Sequence, residues 1–315
     1  MNSSIRIGTR SSALALAQAT EVKVALEKAH PGLGCVLVTL KTSGDDFTAW
    51  KKDARPEGGV PLKGLFVKEI EEALLNGTIE LAVHSVKDLQ AELPPGLKLA
   101  AVPKRQDPRD ALILREKGTV KSLAAGTKVG VSSLRRQSQL KRLRRDLELV
   151  SIRGNVDTRL GKLDKKECDA LLLAACGLIR LGLSDRISEY LDPIHMIPAA
   201  GQGALGIEIR SDREDLLQLV QGVDDPNSHC EIEAERAFLK ALGGGCSVPI
   251  GALARVSDTS LTLTGVVLSP DGLKVVRKEI VGSKQAAEKL GTELASHLRA
   301  AGADRLLYSH WAAKR

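Results

Sequence analysis

The sequence predicts an α/β protein built mainly of parallel βαβ units, closed by a small α+β domain with a three-stranded sheet. Three observations predict it. From Ile5 to Ile209 short apolar runs alternate with segments of helical period. One run, Ala170–Ala174, is apolar throughout, as strands covered on both faces are. After the glycines at 243–245 the alternation stops, and three strand-like runs are followed by one helix.

Taken in order, Ile5–Gly8 is a short strand with Arg10 just beyond it. Ser11 or Ser12 caps a helix that runs to about Ala29 and ends at His30-Pro31-Gly32. Val36–Thr42 alternates as a strand. Ser43–Pro61 carries Gly, Asp, Lys and Pro without a period and reads as a mobile loop, with Trp50 as a loop residue. Leu65, Phe66, Ile70, Ala73 and Leu74 recur at helical spacing, and Gly77 stops that helix. Ile79–His84 is the next strand, leading into Ser85-Val86-Lys87-Asp88, and Leu97–Val102 is another.

The pattern restarts at Gln106-Asp107-Pro108-Arg109, which marks a first boundary. Ala111–Leu114, Val129–Val131 and Leu149–Ile152 read as strands, and Leu134–Arg145 and Val156–Lys166 as helices. Cys176-Gly177-Leu178 leads into a further helix around Arg180. Pro198–Gly203 is a crossing segment and Ala204–Ile209 a strand. A helix over Asn227–Leu242 ends in Gly243-Gly244-Gly245-Cys246. Strands Ile250–Arg255, Leu261–Leu268 and Lys274–Val281 and a helix from about Lys284 to Ala301 complete the chain.

Composition narrows the function. Of 315 residues, 43% are hydrophobic and 27% charged, which fits a globular chain. Aromatics at 2% leave no platforms for stacking single-stranded nucleic acid. No apolar run approaches the ~20 residues that span a bilayer, and the N-terminus lacks a signal peptide's apolar core. Five cysteines without a CxxC pair fit neither a disulfide framework nor a zinc site. The expectation is a monomeric cytoplasmic protein with no metal, no nucleic acid and no membrane among its partners, and the missing transit peptide favours a bacterial one.

The net charge of +7 is local. Lys128–Lys166 holds twelve basic and four acidic residues, a surplus of +8, so the rest of the chain is about neutral. Lys141–Arg145 and Lys162–Lys166 read as solvated helix faces. Arg135, Arg136, Arg153 and Arg159 sit beside the turn residues Ser132, Ser133, Gly154 and Asn155, where strands give way to helices. A guanidinium there can hold a carboxylate through two parallel hydrogen bonds. Arg10, Asp88, Ser132–Arg136 and Arg153 all follow strands, the place where open α/β sheets bind ligands.

Cys35, Cys168, Cys176 and Cys230 fall within elements and read as small buried hydrophobes. Cys246 follows three glycines. That run reads either as a helix stop or as a backbone that brings a reactive thiol to a surface. Asp88 reads either as a turn residue or as an acid/base facing a developing cation. His84 reads as a strand histidine, since no second histidine stands at metal spacing.

Eight segments occur in one order: IRIGTRSSALALAQA, KGLFVKEIEEALL, LAVHSVKDL, DPRDA, VGVSSLRRQSQL, IRGNVDTRL, IPAAGQGALGIE and GGGCSVPIGA. Together they resemble the porphobilinogen deaminase (hydroxymethylbilane synthase) family, from Ile5 to about Tyr308. The resemblance implies two periplasmic-binding-protein-like lobes with mixed, mainly parallel sheets, residues 1–103 with 204–221 and residues 108–197, and a third domain over 226–315. It implies a transferase that condenses four porphobilinogen molecules head to tail into hydroxymethylbilane with loss of ammonia, in tetrapyrrole synthesis. A dipyrromethane cofactor would be joined by a thioether to Cys246, with Asp88 as the catalytic carboxylate. Arg10, Arg135, Arg136, Arg153, Arg159 and Arg180 would hold acetate and propionate arms, assisted by Lys63, Ser85, Lys87, Ser132 and Ser133.

The chain departs from the family pattern in three places. Gly58-Gly59-Val60-Pro61-Leu62 carries a proline that stiffens the approach to KGLF, so lid motion is expected to differ. Phe47–Glu57 is longer than in many members. Asp157 stands close to the arginines of RGNVDTRL, where it can face solvent on its helix. Two rival readings remain at this point. A non-enzymatic solute binder would need neither a third domain nor GGGC, and a phosphate-backbone binder would use the basic segment alone.

Overall fold

The computed structural model describes residues 4–42, 67–243 and 249–312, with the backbone alone over 308–312. Lys63, Cys246 and the predicted loop Ser43–Pro61 lie outside the described residues. The chain opens with β1 (Ser4–Arg10), α1 (Ala13–Ala29), β2 (Gly34–Leu40), α2 (Lys68–Leu75), β3 (Leu81–Ser85) and β4 (Leu97–Ala101). It continues with β5 (Asp110–Leu114), β6 (Lys128–Gly130), α3 (Leu134–Leu143), β7 (Glu148–Val150), α4 (Val156–Asp164), β8 (Ala170–Ala174), α5 (Ala175–Arg180) and β9 (Ile187–Tyr190). Then come β10 (Leu205–Arg210), α6 (Glu214–Gln221) and α7 (Pro226–Ala241). Last are β11 (Ile250–Ser257), β12 (Ser260–Leu268), β13 (Val275–Ser283), α8 (Ala287–Ala300) and α9 (Ala303–Ala312).

Two compact units result. One comprises Met1–Arg105 with Ala204–His229, the other Gln106–Gly203 with Cys230–Arg315. The three-stranded sheet expected of a third domain lies in the second unit, as the antiparallel meander β11-β12-β13.

The two larger sheets repeat one plan. The first has the order β2-β1-β3-β10-β4, the second β7-β6-β8-β5-β9. In the first, β1 is parallel to β2 and β3, while β10 runs antiparallel to β3 and β4. In the second, β6 is parallel to β7 and β8, while β5 runs antiparallel to β8 and β9. The reversed strand in each is the first strand after a crossing segment. In each sheet four of the five strands therefore share a direction.

Both sheets are covered on two faces. In the first unit Ala19, Val22 and Leu26 of α1 pack on Ile5, Ile7, Leu81, Val83 and Ile207. Ile70, Ala73 and Leu74 of α2 cover Ile79, Ala82 and Leu97 on the opposite face. In the second, Leu112, Val129, Ala170 and Leu172 meet Leu140 of α3, while Ile113, Leu171 and Leu173 meet Leu160 and Leu163 of α4. Each large aliphatic side chain buried in this way contributes about 1.5–3 kcal/mol. Such double burial explains why β8 reads as an unbroken apolar run.

Local signals fix the ends. Ser12 accepts a hydrogen bond from the Ala15 amide at 3.3 Å and starts α1, as a cap should. Gly203 has φ +92°, and a Cβ there would stand 2.3 Å from the Gln106 carbonyl oxygen. Only glycine lets the returning chain lie that close to the outgoing one.

Candidate active site

In the first unit β1 and β3 are parallel neighbours, with Ile7 opposite Leu81 and Gly8 opposite Ala82. Their carboxyl ends therefore meet at one edge, which gathers Arg10 and Ser85. The Val86 amide donates to the Ala204 carbonyl at 3.1 Å, which extends the β10 pairing just past the strand. Val86–Asp88 then closes a single 3-10 turn. The Ser85 hydroxyl accepts from Gln18 Nε2 of α1 at 2.8 Å. Lys87 and Asp88 are half-buried, and neither has an ion-pair or side-chain hydrogen-bond partner among the described residues.

In the second unit the carboxyl ends of β7, β6 and β8 again form one edge, because the three are mutually parallel. Ser132 and Ser133 follow β6, Arg153 and Gly154 follow β7, and Arg180 ends α5, which follows β8. Ser133 and Asn155 stand at the starts of α3 and α4, and neither caps its helix with its side chain. The first-turn amides of both helices are thus left to solvent or to an anion.

Arg159 faces this edge. Its Nε donates to the Gly154 carbonyl at 2.7 Å and its Nη1 to the Ser132 hydroxyl at 3.1 Å. It has no acidic partner among the described residues. Burial, with the Arg136 charge second, lowers it to about 10, so it remains a cation at neutral pH. Gly154 has φ +112°, and a Cβ there would meet the Thr158 side chain at 2.7 Å, so the turn that presents the carbonyl to Arg159 needs glycine. Arg153 is exposed, and Arg180 donates from Nη2 to the Gly203 carbonyl at 3.1 Å.

Arg135 and Arg136 lie deeper than an edge site requires, at 3% and 7% exposure. Arg135 Nη1 donates to Asp110 Oδ2 at 2.6 Å and to the Ile197 carbonyl at 2.7 Å. Arg136 Nε donates to Asp110 Oδ1 at 2.8 Å, and its Nη2 reaches Gln202 Oε1 at 3.3 Å. Gln202 Nε2 in turn donates to Asp110 Oδ1 at 2.9 Å and to the Pro108 carbonyl at 2.7 Å. Burial would push the Asp110 carboxyl up, but Arg135 and Arg136 outweigh it and hold the group well below the usual carboxylate range. Two cations share one anion, so this interior retains a positive charge behind Arg159. Asp110 and Gln202 were not singled out from the sequence, although both lie in the quoted segments DPRDA and IPAAGQGALGIE.

Cys35, Cys168 and Cys176 are buried, as the sequence suggests, whereas Cys230 is only half-buried. Burial pushes the Cys35 and Cys168 thiols up, away from nucleophilic character. His84 is a strand residue, and no group of three potential metal ligands occurs among the described residues.

Residues 5–218 match the family description "Porphobilinogen deaminase, dipyromethane cofactor binding domain", and residues 229–300 match "Porphobilinogen deaminase, C-terminal domain". The chain belongs to the porphobilinogen deaminase family. It is 48% identical over 303 residues to the porphobilinogen deaminase of Syntrophobacter fumaroxidans, covering 96% of each chain. It is 50% identical over 303 residues to that of Trichlorobacter lovleyi, covering 96% of this chain and 95% of the relative. For the enzyme of Roseiflexus castenholzii the figures are 48% over 307 residues, 98% and 99%. The described residues fit the group that the porphobilinogen deaminase description names. Arg159 is a half-buried cation without an acid, beside a serine hydroxyl and two helix starts.

Proposed function

We propose that this chain condenses four porphobilinogen molecules head to tail into hydroxymethylbilane, releasing ammonia at each addition, on a dipyrromethane cofactor joined to Cys246. The observation that carries the site reading is Arg159, a desolvated cation set against Ser132 with no acidic partner among the described residues, in a chain of this family. When bound, the cofactor supplies the pyrrole position at which the chain is lengthened.

The residues divide the work by charge. Loss of ammonia from porphobilinogen leaves a cation, and Asp88, half-buried and without an ion-pair partner among the described residues, is the carboxylate that faces it and takes up a proton. Each pyrrole carries two carboxylates. Arg10, Arg153, Arg159 and Arg180 grip them, with Lys63, Ser85, Lys87, Ser132 and Ser133 donating further hydrogen bonds. Arg135 and Arg136, engaged with Asp110, support the same carboxylates chiefly through their net positive charge. In this reading the lobes are residues 1–103 with 204–221 and residues 108–197, and residues 226–315 carry the attachment cysteine. No described helix is long and apolar enough to cross a membrane. A monomeric cytoplasmic enzyme suits a small, highly charged substrate.

Intact-protein mass spectrometry under denaturing conditions tests the proposal. The matured chain should carry extra mass equal to two pyrrole units, and Cys246→Ala should lose it. A bare polypeptide mass for active protein would sink the covalent tether.

A further inference from the structure

Between α2 and the strand that leads into the Asp88 turn lies a group of three ionisable side chains that the reaction does not use. Glu71 of α2, His84 of β3 and Glu208 of β10 are 6%, 5% and 0% exposed. The pairing places Ala82 opposite Glu208 and Gly206 opposite His84, so His84 and Glu208 are diagonal neighbours on one sheet face. That is the face α2 covers, through Ile70, Ala73 and Leu74 against Ile79 and Ala82. His84 Nε2 stands 3.0 Å from Glu208 Oε2 but out of hydrogen-bond alignment. Glu71 Oε1 and both Glu208 oxygens also lack a hydrogen-bond partner. Buried polar atoms in such a state are costly and rare in cores.

We infer that Glu71, His84 and Glu208 are positioning residues for Asp88, whose balance of buried charge keeps α2 seated on the strand that ends in the reactive turn. The inference rests on the reading of Asp88 as the reacting carboxylate. Protonated, Glu71 brings no charge to the layer between α2 and the sheet; ionised, it sets a negative charge against that of Glu208. Burial first, and the Glu208 charge second, raise Glu71 to about 7, with His84 opposing.

Other charges on the elements packed against α2 are turned elsewhere. Arg6 of β1 engages Glu80 and the Gly77 carbonyl. Lys98 of β4 pairs with Glu214, and Arg210 of β10 with Asp212. Among the described residues, Arg10 of β1 and Lys68, Glu69 and Glu72 of α2 complete the set, and the charges that act on Glu71 are those of Glu208 and His84. Above neutral pH two carboxylates would therefore face each other in a dry layer, and α2 would loosen. Since β3 runs directly into Ser85 and the Val86–Asp88 turn, the loosening reaches Asp88.

The test uses the full chain, as wild type and as Glu71→Gln, an isostere that cannot ionise. A group whose pKa is higher in the folded state gives stability that is complete below its unfolded value and lost as pH rises through its folded value. The wild-type unfolding midpoint should accordingly fall between pH 5 and 8, and Glu71→Gln should flatten that fall. At pH 8 the amides of residues 68–75 should exchange about tenfold more slowly in the variant, one pH unit above the Glu71 midpoint. The alkaline limb of kcat should move to higher pH with KM unchanged. Identical pH dependence of stability and exchange in the two proteins, or an unmoved kcat limb, would overturn the inference. Should Glu71→Gln fail to fold, Glu208→Gln serves, and must shift the wild-type fall to lower pH. Asp88→Asn separates the two readings. Normal turnover in that variant removes Asp88 from the reaction, while its stability titration still reports on the trio.

Discussion

Arg135 and Asp110 form an ion pair closed to solvent at both ends, with 2.6 Å between Nη1 and Oδ2 and exposures of 3% and 0%. Such a pair adds little net stability over an apolar one, but breaking it from one side is expensive. Asp110→Asn should therefore cost about 3–5 kcal/mol, because Arg135 and Arg136 would both remain buried without an anion. Denaturant unfolding at pH 7 measures it. The pH sense follows from the depressed Asp110 pKa. Its contribution is complete above the ordinary value of 3.8 and is lost as pH falls below it, so wild type and Asp110→Asn should converge in acid.

Asp88 is the opposite kind of carboxylate. It is half-buried and has no ion-pair or side-chain hydrogen-bond partner among the described residues, so its charge holds no described neighbour in place. Asp88→Asn should leave the unfolding midpoint within about 0.5 kcal/mol of wild type. It should leave the covalently attached mass intact and nearly abolish hydroxymethylbilane formation. Steady-state turnover beside a denaturing mass spectrum checks both at once, and near-normal rates would contradict the role assigned to this residue.

What the sequence revealed, and what it hid, follows from burial. Doubly covered strands such as Ala170–Ala174 and capped helices such as the one after Ser12 are legible, since a continuous apolar run and a serine before a periodic segment are local signals. β9 escaped because Ile187 is its one buried residue, which leaves no alternation to see. α6 escaped because its eight residues begin without a capping side chain, although Leu216 and Val220 stand at helical spacing. In the site, Arg10, Asp88, Ser132 and Arg153 were read from their places after strands, and those places are where the fold puts them. The partners of Arg135 and Arg136 could not be read. Asp110 and Ile197 are 25 and 62 positions from Arg135, and Gln202 is 66 from Arg136, so only the reversed strand β5 and the returning segment bring them together. Glu71 and Glu208 were hidden for the same reason, since each looks like an ordinary polar position of its own element.

Arg159 offers a test of binding without folding. Burial and the Arg136 charge already disfavour its charged form, so the empty protein gains little from it. Arg159→Leu should leave the stability of the cofactor-free chain unchanged or slightly raised. A ligand carboxylate, by contrast, would lose a charge-assisted hydrogen bond of about 1.5–3 kcal/mol, roughly a 10- to 150-fold loss in affinity or in the rate of elongation. Cofactor loading by mass, and the distribution of covalent intermediates on incubation with porphobilinogen, are the readouts. If both match wild type, the carboxylate grip lies elsewhere.

Gly203 provides the sharpest backbone test. Its φ of +92° is one that L side chains rarely adopt, and an added Cβ would stand 2.3 Å from the Gln106 carbonyl and 3.2 Å from Pro108 Cα. Both neighbours are main chain and cannot swing aside. The Gln106 amide also donates to the Gly203 carbonyl at 3.2 Å, and Arg180 Nη2 binds that same carbonyl at 3.1 Å. Gly203→Ala must therefore strain the backbone or part these two chain segments. Strain of this kind costs about 1–3 kcal/mol, and the displaced carbonyl should release Arg180 as well. The expected outcome is a lower unfolding midpoint together with weakened porphobilinogen turnover. Gly161→Ala is the control, since that glycine lies within α4 and a Cβ there meets nothing within 4 Å. It should raise stability by up to about 1 kcal/mol through helix propensity alone. Equal midpoints for the two variants would mean that the close approach of the crossing segments is not under the constraint its geometry implies.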